Sequence, residues 1–282
     1  MPEGGTYLNV GHANLSDRVL RAVRQAGLSV SVLIHDTIPL DHPQFARPGT
    51  VEPFRARLAA VSAHASRIIH LTEATRRLTE AQLATLGRVP PGLVAPIGVD
   101  LAAPDPALLP HGIDLSAPYF VTLGTIEPRK NYAFLLDVWA RLPTPAPRLY
   151  IVGNRGWADA ALLVRLDALP ADGPVRVLHG LPDGAVAALV AQARALLAPS
   201  LAEGFGLPPV EAASLGTPVI ATDLAVTREL LGNKAVYLPA TDLYPWIETI
   251  VRQAALPQID GEKTVWQAPT WDAHFKTVLS LA

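Results

Sequence analysis

The 282-residue chain contains no cysteine. That excludes disulfides, thiolate catalysis and cysteine-held zinc or iron–sulfur centres. It is compatible with a reducing cytoplasm, the location expected here. Charge is sparse too: Asp, Glu, Lys and Arg make up 17% of the residues, against about 25% in typical soluble domains. The two signs nearly cancel, leaving a net charge of −2. No general field is available to hold nucleic acid, so a bound anion must be met by a few placed residues. No apolar run approaches the roughly 18 residues of a transmembrane helix. The opening Met1-Pro2-Glu3-Gly4-Gly5 has neither the basic nor the apolar region of a signal peptide.

Several catalytic signatures are missing as well. There is no Gly-x-x-x-x-Gly-Lys-Ser/Thr loop, which argues against P-loop hydrolases. No Gly-x-Gly-x-x-Gly follows a strand and no Gly-x-Ser-x-Gly elbow occurs, which weakens dehydrogenase and esterase readings. No Asp-x-Asp or His-x-x-x-His spacing offers a metal site, so metal-independent chemistry is expected.

What is present is a large apolar fraction, 50% of residues. A chain of this size can bury about 75% of its unfolded surface, which excludes intrinsic disorder. Short apolar runs alternate with helical patterns. Strands are expected at Val30–Ile34, Arg67–Leu71 and Leu93–Ile97, then at Tyr119–Leu123, Arg148–Val152, Val175–Leu178, Ala195–Ala198, Pro218–Ala221 and Ala235–Leu238. Thr50 is a candidate cap for a helix through Ala65, and Thr72 for one that Gly87 ends. Such alternation predicts an α/β chain with parallel sheets, helices on both faces and two Rossmann-like domains. Asp100 to Pro118 carries four prolines and no period. It reads as a linker, giving domains 1–115 and 116–255 with a tail at 256–282.

Ligands of such sheets sit beyond the carboxyl ends of the strands. Polar residues and glycines gather there. In Glu203-Gly204-Phe205-Gly206-Leu207-Pro208-Pro209-Val210-Glu211, glycines allow a sharp turn and the prolines suit the first turn of a helix. A helix start of this kind receives phosphate. Glu203 and Glu211 can each accept two hydrogen bonds from a sugar diol, or can be a solvated residue and a dipole-complementing residue; spacing alone weighs the two equally. Arg129 and Lys130 precede a helix that begins near Asn131, where the dipole disfavours cations. A diphosphate between them would relieve that, and a plain surface basic pair is the alternative. His35 and Asp36 follow the Val30–Ile34 strand, where a structural histidine and a turn cap are the more common outcome.

Taken in order, Leu123-Gly124-Thr125-Ile126-Glu127-Pro128-Arg129-Lys130-Asn131, Ile151-Val152-Gly153, His179-Gly180, Glu203 to Pro208 with Glu211-Ala212, and Gly216-Thr217-Pro218-Val219-Ile220 resemble the family 4 glycosyltransferases. These are retaining, nucleotide-sugar-dependent enzymes of GT-B architecture. The resemblance covers about Pro118 to Pro239. It implies that Arg129 and Lys130 hold the donor diphosphate, that the backbone of Gly204, Phe205, Gly206 and Leu207 meets phosphate and sugar, and that Glu203 binds the transferred sugar. By the same resemblance Glu211 binds the ribose diol, Gly124 and Thr125 border the donor, and Gly153, Gly180 and Leu181 line the base. Glu229 matches a further acidic position, and His35 would reach the donor sugar once the linker closes. Thr270 would begin a last helix that packs back on the first domain.

The donor is a substrate, so no cofactor is implied, and the acceptor would be a saccharide or glycolipid hydroxyl. Only about 115 residues precede the second domain, so the first is expected to be truncated or reduced. A nucleotide-sugar epimerase or hydrolase, or a catalytically silent donor-binding domain, are the rival readings. Arg55, Arg57, Arg67, Arg76 and Arg77 could form a basic face toward lipid headgroups at the inner membrane face, or simply a solvated helix surface.

Overall fold

The computed structural model describes residues 4–11, 13–113, 115–257 and 266–280, which form two compact units. The first comprises Met1–Gly98, Glu203–Phe205 and Pro269–Ala282. Its elements are β1 (Thr6–Asn9), α1 (Asp17–Gln25), β2 (Ser29–Ile34), α2 (Ile38–Asp41), α3 (Val51–His64), β3 (Arg67–His70), α4 (Glu73–Leu86) and β4 (Gly92–Val94). The four strands pair in parallel in sequence order. Val30, Val32 and Ile34 of β2 meet Leu58 and Val61 of α3 in the core. A strand that alternates apolar contacts on both faces needs cover on both, and the crossover helices supply it.

Local chemistry explains the helix ends. The Thr72 hydroxyl accepts from Thr75 N at 3.0 Å while Thr75 Oγ1 accepts from Thr72 N at 3.1 Å, a reciprocal cap for α4. Thr50 does not act as the expected cap: its backbone is already helical and its side chain makes no capping bond. β4 stops at Val94, short of the expected Ile97, because Pro96 has no N–H for the ladder. The expected basic face is partly neutralised, since Arg76 pairs with Glu80 at 2.8 Å and Arg55 with Glu52 at 3.7 Å.

The second unit comprises Val99–Ala202 and Gly206–Ala268. It contains β5 (Tyr119–Leu123), α5 (Tyr132–Trp139), β6 (Arg148–Val152), α6 (Ala160–Asp167), β7 (Val175–Leu178), α7 (Asp183–Gln192), β8 (Ala195–Ala198), α8 (Leu207–Ser214), β9 (Val219–Thr222), α9 (Ala225–Leu231), β10 (Ala235–Leu238) and α10 (Leu243–Ala255). All its strands are parallel, in the order β10-β9-β8-β5-β6-β7. This is the doubly wound arrangement. Phe120 meets Trp139 edge-on at 5.9 Å, and Phe134 meets Trp246 at 5.5 Å. Both indole N–H groups are satisfied, by Pro147 O and Pro239 O at 2.9 Å each.

The two units divide at Gly98–Val99, not near Ser116. The proline-rich stretch packs against α7 and β7: Asp105 N donates to Gly184 O at 2.9 Å, and Arg176 Nη1 of β7 donates to Gly112 O at 2.6 Å. The absence of periodicity was a sign of irregular backbone, which still finds partners on a neighbouring helix and strand. The tail helix α11 (Trp271–Leu279) groups with the first unit. Thr270 caps it by accepting from Ala273 N, and His274 Nδ1 donates to Ala95 O at 3.1 Å.

His70, at the end of β3, is fully buried, and neither ring nitrogen has a hydrogen-bond partner among the described residues. Burial favours the neutral ring and pushes its pKa down to about 4. The folded state therefore binds this proton less tightly than the unfolded chain, whose histidines titrate near 6.5. Stability supplied by the neutral ring is complete above that value and is lost as pH falls toward 4, by up to about 3 kcal/mol. Thermal melts from pH 7 to pH 4 should show this loss in the wild-type chain and a flatter profile in His70→Phe.

Candidate functional site

The site begins where the strand order reverses. β5 lies between β6 and β8, so the chain leaves β5 and β8 in opposite directions and opens a crevice beyond their carboxyl ends. Two loops fill that edge, 124–131 after β5 and 199–206 after β8. They are stitched together. Leu201 N donates to Arg129 O at 2.7 Å, Arg129 Nη1 donates to Ala202 O at 3.1 Å, and Asn131 Nδ2 donates to Pro199 O at 3.3 Å.

Pro128–Lys130 forms a 3-10 turn, and Asn131 adopts the left-handed conformation (φ 56°) before α5 begins. The turn separates the two cations from α5 and points their side chains differently. Arg129 Nε meets Glu127 Oε1 at 2.6 Å. Glu127 is 3% exposed, so part of the anion that the Arg-Lys pair demands comes from the chain itself. That role was not read from the sequence, although the Glu-Pro-Arg spacing contains its signal. Lys130 is buried and lies over Gly124, its Cε 3.0 Å from where a Cβ there would stand. The hydroxyl of Tyr132 fixes the same turn by donating to Gly124 O at 2.7 Å.

The loop after β6 is packed against this turn. A Cβ on Gly153 would stand 2.0 Å from Gly124 O, so only glycine permits the approach. His179, after β7, donates from Nδ1 to Gly153 O at 2.5 Å. Gly124, Gly153 and His179-Gly180 thus share one edge, with Thr125 exposed at it and half-buried Leu181 following. On the other side Gly206 (φ 85°) starts α8. Pro208 and Pro209 carry no N–H, which leaves Gly206 and Leu207 as the first donors of that helix.

Glu203, Gly204 and Phe205 group with the first unit, although the sequence reading placed them in the second domain. The reason is contact: a Cβ on Gly204 would stand 2.8 Å from Asp36 Oδ2 and 3.0 Å from His35 O. His35 and Glu203 therefore belong to the same unit. His35 Nε2 donates to Val10 O at 3.0 Å, and Asp36 Oδ1 accepts from Ile38 N at 3.0 Å, a turn cap. Phe205 is buried and Leu207 is exposed.

Glu211, on α8, lines a cavity of about 180 Å³ in the second unit. Burial raises its pKa first, and the nearby Asp183 carboxylate raises it further. Asp183, at the start of α7, lines the same cavity and was not singled out from the sequence. Among the described residues no group of three or more His, Asp or Glu is placed to hold a metal ion, and no helix is long and apolar enough to cross a membrane.

Comparison with known proteins gives the following likenesses. The family described as glycosyl transferases group 1 matches residues 110–240. The chain is 32% identical over 232 residues to the serotype-specific mannosyltransferase WbdA of Escherichia coli, covering 77% of this chain and 28% of WbdA. It is 34% identical over 142 residues to the O-antigen chain mannosyltransferase RfbU of Salmonella typhimurium, covering 49% of this chain and 39% of RfbU. It thus spans well under half the length of either relative. Sucrose-phosphate synthase from Thermosynechococcus elongatus superposes with a TM-score of 0.73 at 21% identity, over 98% of this chain and 72% of that one. This likeness supports the GT-B type of α/β fold.

Two outcomes follow for the site. Gly153→Ala forces a Cβ into a backbone carbonyl, so it should lower the melting temperature by about 5 °C or more, measured by calorimetry. Glu211→Gln removes a carboxylate that the fold holds charged at a cost. A raised carboxyl pKa means stability present at low pH and lost as pH rises through it, so this variant should melt about 1–3 °C higher than wild type at pH 7 and equal to it near pH 3.

Proposed function

Because this chain carries a glycosyl transferases group 1 domain across residues 110–240, we propose that it moves a hexose or deoxyhexose, mannose first among the candidates, from a nucleotide-diphosphate sugar to a hydroxyl of a saccharide or glycolipid. The observation that carries the reading is the stitched pair of loops at the β5–β8 reversal, which holds Arg129 and Lys130 beside a helix start. The relatives named as mannosyltransferases of O-antigen support the choice of sugar and of a polysaccharide acceptor.

In this reading Arg129 and Lys130 stabilise the charge that builds on the departing diphosphate, aided by the Gly206 and Leu207 N–H groups at the positive end of α8. No metal is asked to do this. Glu211 accepts from the ribose diol, and the Gly153 and Gly180-Leu181 loops border the base. Glu203 accepts from hydroxyls of the transferred sugar, and His35 reaches the same sugar. Retention follows if the departing phosphate takes the acceptor proton on the same face. Work at the cytoplasmic side, with peripheral contact to the inner membrane face, belongs to the same proposal.

The test uses labelled nucleotide sugars with lipid-linked and free oligosaccharide acceptors, and product analysis for transfer, hydrolysis or epimerisation. Transfer with retained configuration is expected. Arg129→Ala should lower kcat about tenfold or more, the worth of one charge-assisted hydrogen bond. Unchanged kcat in that variant, or hydrolysis alone in wild type, would count against the reading.

A further inference from the structure

Glu127 puts a negative charge where an anion is to be gripped. It stands two residues before Arg129 and three before Lys130 in the chain, and it is 3% exposed. Its carboxylate lowers the positive potential that the two cations would otherwise offer a diphosphate. The ordinary uses of a glutamate at such a turn do not account for it. Its side chain makes no capping bond to the Pro128–Lys130 turn, and its burial excludes a solvated surface role. Its Oε1 instead accepts from Arg129 Nε at 2.6 Å.

Both ends of that ion pair are anchored. Ile126, the residue before Glu127, is fully buried and bridges in parallel to Arg155, beyond β6. Ile126 N donates to Asn154 O at 2.9 Å, and Gly156 N donates to Ile126 O at 3.0 Å. The guanidinium is held a second time by Ala202 O, which accepts from Nη1 at 3.1 Å. Arg129 is therefore fixed at two nitrogens from two loops, 153–156 by way of Glu127 and 199–206 directly. An arginine that must find its place at each turnover loses rotamer entropy. One held beforehand does not, and it needs no reorganisation as charge develops.

Resting on the donor-binding reading above, we propose that Glu127 is a positioning residue for sugar transfer: it touches no substrate and holds the Arg129 guanidinium where charge builds on the departing diphosphate. The fold accepts a weaker positive potential in return for a fixed donor geometry. If Glu127 merely tempered the charge of the cation pair, the opposite would hold, and its removal would strengthen donor binding without slowing transfer.

The test uses the full chain and two substitutions. Glu127→Gln removes the charge; Glu127→Asp keeps it and withdraws it from Nε by one methylene. Each is made alone and together with Arg129→Ala, assayed below its melting temperature, and read as kcat and donor KM with the nucleotide sugar that the wild type transfers. Each alone should lower kcat about 5- to 50-fold, the scale of a misplaced catalytic group, and change donor KM less than about threefold. In the Arg129→Ala background neither should lower kcat further by more than about twofold, because the effect runs through that side chain. Guanidinium ion should restore part of the kcat of Arg129→Ala, and none when Glu127→Gln is added. Where Glu127→Gln does not fold, Glu127→Asp carries the same comparisons. Unchanged kcat in both single variants, or the same loss with and without Arg129, would overturn this role and leave the transferase reading standing. No transfer by the wild type from any nucleotide sugar would overturn both.

Discussion

The parallel pairing of β5 with β8 is the constraint on which the site depends. Phe120 lies opposite Ala195 and Val121 opposite Leu196. This pairing joins two halves of a sheet that grow in opposite directions, so their crossover helices diverge and leave the carboxyl ends uncovered. The loops that leave β5 and β8 have no strand or helix between them. They meet each other instead, through Leu201 N to Arg129 O and Arg129 Nη1 to Ala202 O. Backbone polar groups at a crevice must be satisfied, and here the same bonds that satisfy them also fix a guanidinium in place.

The charges around this edge are arranged by burial. Glu127 is buried and paired with Arg129, so neither carries an uncompensated charge. Glu211 stands in the opposite condition: burial, and after it the Asp183 carboxylate, makes it hold its proton more tightly. A protein chain tolerates such a cost where a ligand removes it.

Strand positions were readable because a buried parallel strand is a short apolar run between breakers. Five of the expected strands, including β5, β6 and β7, begin and end where the structure has them. The start of α8 was readable for a related reason, since Pro208 and Pro209 after the Gly206 turn suit the first turn of a helix, where N–H groups have no intrahelical partner. The Asp100–Pro118 stretch misled because irregular composition says that backbone is neither helix nor strand and is silent on what it touches. The partners of Arg129 and the cavity role of Asp183 were not readable. Ala202 O beside Arg129, and Asp183 beside Glu211, are residues tens of positions apart brought to one edge; only the Glu127–Arg129 pair is local.

By itself, then, the chain's order of residues determined the alternating elements, the helix starts and the loops that follow each strand, because these rest on local periodicity and on the backbone limits of glycine and proline. Only the tertiary structure decided which loops lie together, that Gly204 packs against His35 and Asp36, and that Glu127 is buried against Arg129. Those outcomes come from strand order and burial, which set distance and dielectric between groups that are remote along the chain.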